Sequence, residues 1–191
     1  MSKSDKRDEI VRAALELIAE HGFHGAPMAI IAERAGVGAG TIYRYFENKD
    51  VLIREIYVCL EGQVWVAIKK QYPQEGPLRE RFLHICKCLI GYFLAAPMEF
   101  RFIEQFHNSP YGVDCRRKKF FGKKDKDLVT ELFEEGQQQQ IIKDLPLPIL
   151  SALSFGPLVD VCRDHILQLI KLDDVLIDRI LEATWDAIQR Q

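Results

Sequence analysis

Residues 27–49 read PMAIIAERAGVGAGTIYRYFENK, and their spacing predicts two short helices joined by a tight turn. Pro27 suits the first position of a helix, since its missing N–H would have no partner there. Ile31, Ala32 and Ala35 line one side of that helix. Gly36 stops it, because a left-handed residue costs glycine little. A second helix is predicted over Ala39–Phe46. This is helix-turn-helix spacing, in which the second helix enters the major groove. Ile31, Val37 and Ile42 are placed to fix the angle between the two helices, which leaves Thr41, Tyr43, Arg44 and Tyr45 on the sides not needed for packing. Arg44 can reach a guanine edge or a phosphate, and the three hydroxyls can meet phosphates or a thymine methyl. Gly40 lets the backbone approach DNA closely. Lys49 opens the next helix, where its ammonium and the helix-terminal N–H groups can meet one phosphate. On spacing alone, a plain helical turn in an all-α core with the aromatics as packing accounts for the segment equally well.

Working outward, the pattern stays helical, with no sustained period-two alternation and no hairpin signal. A first helix is predicted from Ser4 to Glu20, with Ile10, Ala14, Leu17 and Ile18 as its apolar stripe and Gly22 and Gly25 at its end. After Glu47, Asn48 caps a long helix that carries Leu52, Ile56, Cys59, Leu60, Gln63 and Ala67 on one face and ends near Tyr72-Pro73. Further helices are predicted over Pro77–Ala96, Pro97–Asn108 and Asp114–Gly136. Leu145-Pro146-Leu147-Pro148 then opens a helix reaching Ile170. Asp173 caps the last one, to Arg190, with Ile177, Leu181, Thr184, Trp185 and Ile188 as its stripe.

The bulk numbers suit a small head on a larger core: 191 residues, 48% hydrophobic, formal net charge −2. Residues 1–50 hold seven Lys/Arg against eight Asp/Glu, so DNA binding has to rest on where charges lie rather than on their sum. A sequence-nonspecific architectural protein is disfavoured by the acidic overall balance of charge. No signal peptide and no apolar run near the roughly 18–20 residues of a membrane span is present, so a cytoplasmic protein is expected. Cys59, Cys86, Cys88, Cys115 and Cys162 are scattered and odd in number, which fits thiols in a reducing compartment better than a disulfide framework.

The run from Ile31 to Lys49, with Leu52 after it and Gly22-Phe23 before it, resembles the signature of the TetR family of transcriptional regulators. The resemblance covers about fifty residues. Beyond them only length, helix count and the last two helices match. It implies DNA contact by Thr41, Tyr43, Arg44, Tyr45 and Lys49, beside the close backbone approach at Gly40, and a C-terminal domain that binds a ligand and dimerises. Two departures stand out. Ala26 and Pro27, followed by Ala29 and Ile30, replace the usual Ser or Thr that touches phosphate at the start of the second helix. Gly38 replaces a frequent serine cap of the recognition helix, a change that costs a few tenths of a kcal/mol.

Other clusters carry less. His84, Cys86 and Cys88 lack zinc spacing, and residue 86 points away from the other two. Arg116, Arg117, Lys118, Lys119, Lys123, Lys124 and Lys126 read as a solvated helix face. Asp160, Asp164 and His165 have no recognisable nucleophile or phosphate loop beside them. No metal, cofactor or catalytic set is expected. Aromatic residues exceed what the head needs, and Trp65, Phe93, Phe102, Phe106 and Phe155 are candidates for lining an apolar cavity.

The expectation is an all-α fold of about nine helices. Residues 1–47 form a three-helix DNA-binding head with the helix-turn-helix, and residues 48–191 a larger helical body that binds ligand and dimerises, its last two helices pairing with those of the partner and the stripe that holds Trp185 lying in that interface. The expected function is a repressor, released from a palindromic operator in double-stranded DNA by a largely apolar or aromatic small-molecule effector, and acting as a homodimer away from membranes. An all-α enzyme or carrier with a vestigial head is the competing class.

Overall fold

In the computed structural model the described residues are 3–121 and 127–190. They form ten helices, one more than the sequence predicts: α1 (Lys3–His21), α2 (Met28–Arg34), α3 (Ala39–Ile42), α4 (Lys49–Lys69), α5 (Leu78–Ala95), α6 (Pro97–His107), α7 (Pro110–Phe121), α8 (Leu128–Gln138), α9 (Leu147–Ile166) and α10 (Asp174–Ile188). The extra helix comes from the stretch expected as one helix over Asp114–Gly136. There α8 starts afresh, its first turn capped by Asp127, whose carboxylate accepts the Thr130 N–H at 2.8 Å. The expected caps form at two other helices. Asn48 Oδ1 accepts from Val51 N at 2.9 Å and Asp173 Oδ1 from Leu176 N at 2.8 Å.

The chain divides into two compact units, Met1–Gln63 with Ala96–Cys115, and Val64–Ala95 with Arg116–Gln191. The first is wider than the head expected at 1–47, because it also holds most of α4, all of α6 and the start of α7. Within it α1 packs on α2 and α6, burying Ile10, Ala14, Leu17 and Ile18. Gln105 of α6 donates to the Ala19 carbonyl at 3.3 Å, and Phe102 meets Phe23 edge-on with ring centroids 6.2 Å apart.

In the second unit α5 is central and packs on α8, α9 and α10. Phe82 anchors it, with Trp185 of α10 at 5.5 Å and Phe133 of α8 at 6.4 Å between ring centroids. The buried Arg81 guanidinium is matched by Glu135 at 2.7 Å and the Tyr72 hydroxyl at 3.1 Å, as a charge removed from water requires. The segment after α8 returns to the end of α10 in an isolated antiparallel bridge between Ile142 and Gln189. The α10 stripe of Leu181, Thr184, Trp185 and Ile188 is buried in this unit. Trp185, only 4% exposed, is therefore core against Phe82 and not the dimer-interface residue that its position on the last helix suggests.

Candidate nucleic-acid interface

The turn between α2 and α3 follows from one residue. Gly36 adopts φ +64°, and the chain closes around it with Gly36 N–H to the Glu33 carbonyl at 3.0 Å and Val37 N–H to the Ala32 carbonyl at 2.9 Å. That paired arrangement satisfies the last carbonyls of α2 and reverses the chain in two residues. Ile31 and Ile42 are fully buried, and Val37 is half-buried, so the two helices close on the side chains the sequence assigns to that task.

The recognition helix is shorter than its predicted span of Ala39–Phe46. Regular α-helix covers Ala39–Ile42, and the chain then tightens, with Arg44 N–H to the Thr41 carbonyl and Tyr45 N–H to the Ile42 carbonyl, each at 3.1 Å. Three-residue bonding of this kind winds the chain more tightly and turns side chains away from α-helical positions. Ile42 and Phe46 face inward, while Tyr43 is 57% exposed and Arg44 is exposed; Thr41 and Tyr45 are half-buried. Gly38, Ala39 and Gly40 are exposed, and a Cβ added at Gly40 would meet nothing within 4 Å.

Lys49 is tied down. Its ammonium donates to the Phe23 carbonyl, which links the turn after α1 to the start of α4. Burial lowers its pKa, opposed by the Asp50 carboxylate. Sequence reading missed the group that steadies this corner. Tyr111, at the start of α7, donates its hydroxyl to Asp50 at 2.5 Å and lies under the Arg54 guanidinium, 5.2 Å from the ring centroid. Arg54 also pairs with Asp114 at 3.8 Å. Ser109-Pro110-Tyr111 carries no local sign of such a role. Only the fold brings it to a helix 61 residues away.

The five aromatics proposed for a ligand cavity are divided between the units. Phe102 and Phe106 are buried in the first, where Phe106 stacks on Tyr57 with ring centroids 3.8 Å apart. Trp65, Phe93 and Phe155 belong to the second, Phe93 buried and the other two half-buried. A cavity of about 220 Å³ in the first unit is lined by Val11, Leu15, Ile56, Cys59 and Leu60 among others, and by none of the five. His84 Nε2 donates to the Ile68 carbonyl at 2.8 Å and lies 3.4 Å from Cys88 Sγ, and no group of three or more metal-ligating side chains occurs among the described residues. His165 Nδ1 accepts the Leu172 N–H at 3.1 Å, and Asp160 pairs with Arg163 at 2.7 Å, so both serve the end of α9. In the basic cluster, Arg116, Arg117, Lys118 and Lys119 are exposed, with Lys119 paired to Asp127 at 2.8 Å. Lys123, Lys124 and Lys126 lie outside the described residues. Among the described residues no single helix is long and apolar enough to cross a membrane.

Residues 10–56 match the bacterial regulatory proteins of the tetR family, and residues 77–189 match a tetracyclin repressor-like C-terminal domain. The chain is 25% identical over 190 residues to an HTH-type transcriptional regulator of Haemophilus influenzae, spanning 99% of this chain and 98% of that one. It is 26% identical over 192 residues to the fatty acid metabolism regulator protein of Bacillus subtilis, with the same coverage of 99% and 98%. A solved TetR-family structure from Vibrio parahaemolyticus superposes with a TM-score of 0.78 at 33% identity, covering 97% of this chain and 99% of that chain. Another, from Marinobacter aquaeolei, reaches 0.84 at 24% identity over 98% and 97%, a likeness of fold. The two family matches together cover the helix-turn-helix and most of the helical body that follows it, and the chain belongs to the TetR family of transcriptional regulators.

Proposed function

We propose that this regulator is a repressor that holds a palindromic operator as a homodimer and releases it when a small apolar molecule binds its body. The observation that carries the DNA-binding part is the outward face of the turn-and-helix at 36–46: Tyr43 and Arg44 are exposed while Ile42 and Phe46 anchor the segment from behind. Gly40, Thr41, Tyr43, Arg44, Tyr45 and Lys49 form the contact set, with residues 1–47 as the DNA-binding segment and 48–191 as the ligand-binding and dimerising part. In the cytoplasm such a protein meets its operator and effector without crossing a membrane.

Dimerisation is supported by an exposed face on α9, where Ile149 is 47% and Leu153 37% exposed and Ala152, Gly156 and Pro157 share the same side. Val175 of α10 is 71% exposed. A run of apolar side chains left exposed along one side of a helix is the kind of surface that a second copy can cover. A two-fold dimer presents its two recognition helices about one DNA turn, roughly 34–36 Å, apart. For the effector, Trp65, Phe93 and Phe155 in the second unit are the proposed lining. The Bacillus subtilis relative named for fatty acid metabolism makes fatty acids the first compounds to screen.

Selection of bound sequences from random double-stranded DNA tests the reading. Enrichment of an inverted repeat supports it. Equal retention of all sequences, with chemical turnover of a small molecule by the body, would instead favour the enzyme or carrier class.

A further inference from the structure

Given the DNA-binding reading above, on which this step rests, we infer that the recognition segment reads its operator largely through thymine methyl groups, with one guanidinium as its only charged base reader. The residues of a recognition helix that reach base edges are those of its N-terminal part. Here they are Gly38, Ala39 and Gly40, all exposed, followed by the half-buried Thr41, so the exposed side chains hold one methyl group and the only hydroxyl is that of Thr41. The exposed side chains of this turn offer no partner to the donor and acceptor code of the major groove. The feature it can read is the C5-methyl of thymine, the one apolar group in that groove.

Two further observations point the same way. Among the described residues before Val58, the exposed large apolar side chains are Ile30 at 42% and Tyr43 at 57%, and both lie in the helix-turn-helix, on the segment that would face DNA. Gly40 has open space on its outward side, with nothing within 4 Å of an added Cβ, so the backbone there is bare enough for a methyl group to seat against it. Hydrogen-bonding read-out falls to Arg44, which is exposed and can take a guanine bidentately. The operator half-site that fits is a short thymine-containing stretch beside a single guanine.

The experiment begins with the operator selected from random DNA, in which each thymine is replaced in turn by uracil. That exchange deletes the methyl group and leaves every hydrogen-bonding atom in place. At one or more thymines per half-site, affinity should fall about fourfold, the equivalent of about 0.8 kcal/mol for one buried methyl. Ala39→Gly should lose affinity on the thymine operator and lose nothing further on the uracil operator. Gly40→Ala meets no neighbour in the protein, so it should melt at or above the temperature of the parent while losing at least tenfold in operator affinity, because the new methyl occupies the space of the thymine's. If uracil operators bind within about twofold at every position, or if Gly40→Ala binds as the parent does, the methyl reading is overturned while an enriched operator leaves DNA binding standing. If no sequence is enriched at all, both readings fall together.

Discussion

The Tyr111 hydroxyl donates to Asp50 Oδ1 at 2.5 Å, joining the start of α7 to the first turn of α4, one residue from Lys49. Burial, and then the bond to Asp50, raise the phenol to about 12. Its neutral form is therefore favoured in the folded head, so the stabilisation is present in full below pH of about 10 and is lost as pH rises through about 12. Tyr111→Phe should cost about 1 kcal/mol in denaturant unfolding at neutral pH, the scale of one hydrogen bond, and the cost should shrink above pH of about 10. A variant as stable as the parent at neutral pH would show that the bond contributes nothing.

Arg44 and Lys49 should behave differently when truncated. Arg44→Ala is expected to weaken operator binding by about 1–3 kcal/mol and to relax preference at one base position. Lys49→Ala should weaken binding to every sequence and lower the salt slope by about one. It should also loosen the head, since the Phe23 carbonyl loses its ammonium partner. Titrations of both variants at several salt concentrations decide the matter, and unchanged affinity in both sinks the contact set.

The exposed face of α9 gives a test of assembly. The parent should sediment at about twice the 22.0 kDa of its chain. Leu153→Arg places a charge in the centre of the face and should yield monomers that retain their helix content. A dimer undisturbed by Leu153→Arg and by Ile149→Asp would move the interface elsewhere.

The two tryptophans should report separately. Trp185 is core against Phe82, so its emission should be blue and shielded from acrylamide, while the half-buried Trp65 should be quenched more readily. An apolar effector that releases operator should shift Trp65 emission, measured in Trp185→Phe, much more than Trp185 emission, measured in Trp65→Phe. The same effector should lower operator affinity by about 1–3 kcal/mol, because coupling between two binding sites is reciprocal. Release of DNA without any change at Trp65 would place the effector elsewhere.

Thiol labelling should follow burial. Cys59 is exposed, whereas Cys86 and Cys162 are buried, and burial pushes the Cys162 thiol up to about 11 and raises Cys86 as well. Because the thiolate is the reactive form, iodoacetamide at neutral pH should mark Cys59 first and reach Cys86 and Cys162 only after unfolding. Early labelling of Cys86, read by mass spectrometry, would contradict the packing around α5.

Helices and their ends were legible in the sequence because they depend on neighbours a few residues away. Apolar residues at three- and four-residue spacing mark the buried faces of α1 and α10, Asn48 and Asp173 cap from their own side chains, and Gly36 turns the chain because it tolerates a positive φ. The recognition motif was legible for the same reason. What the fold alone decided depends on residues far apart in the chain. That Tyr111 reaches Asp50, that Phe106 stacks on Tyr57, and that Trp185 is taken up by its own protomer's core all rest on contacts closed across long loops. Periodicity reveals that a helix has an apolar face; only packing decides whether a helix of the same chain or a second copy covers it.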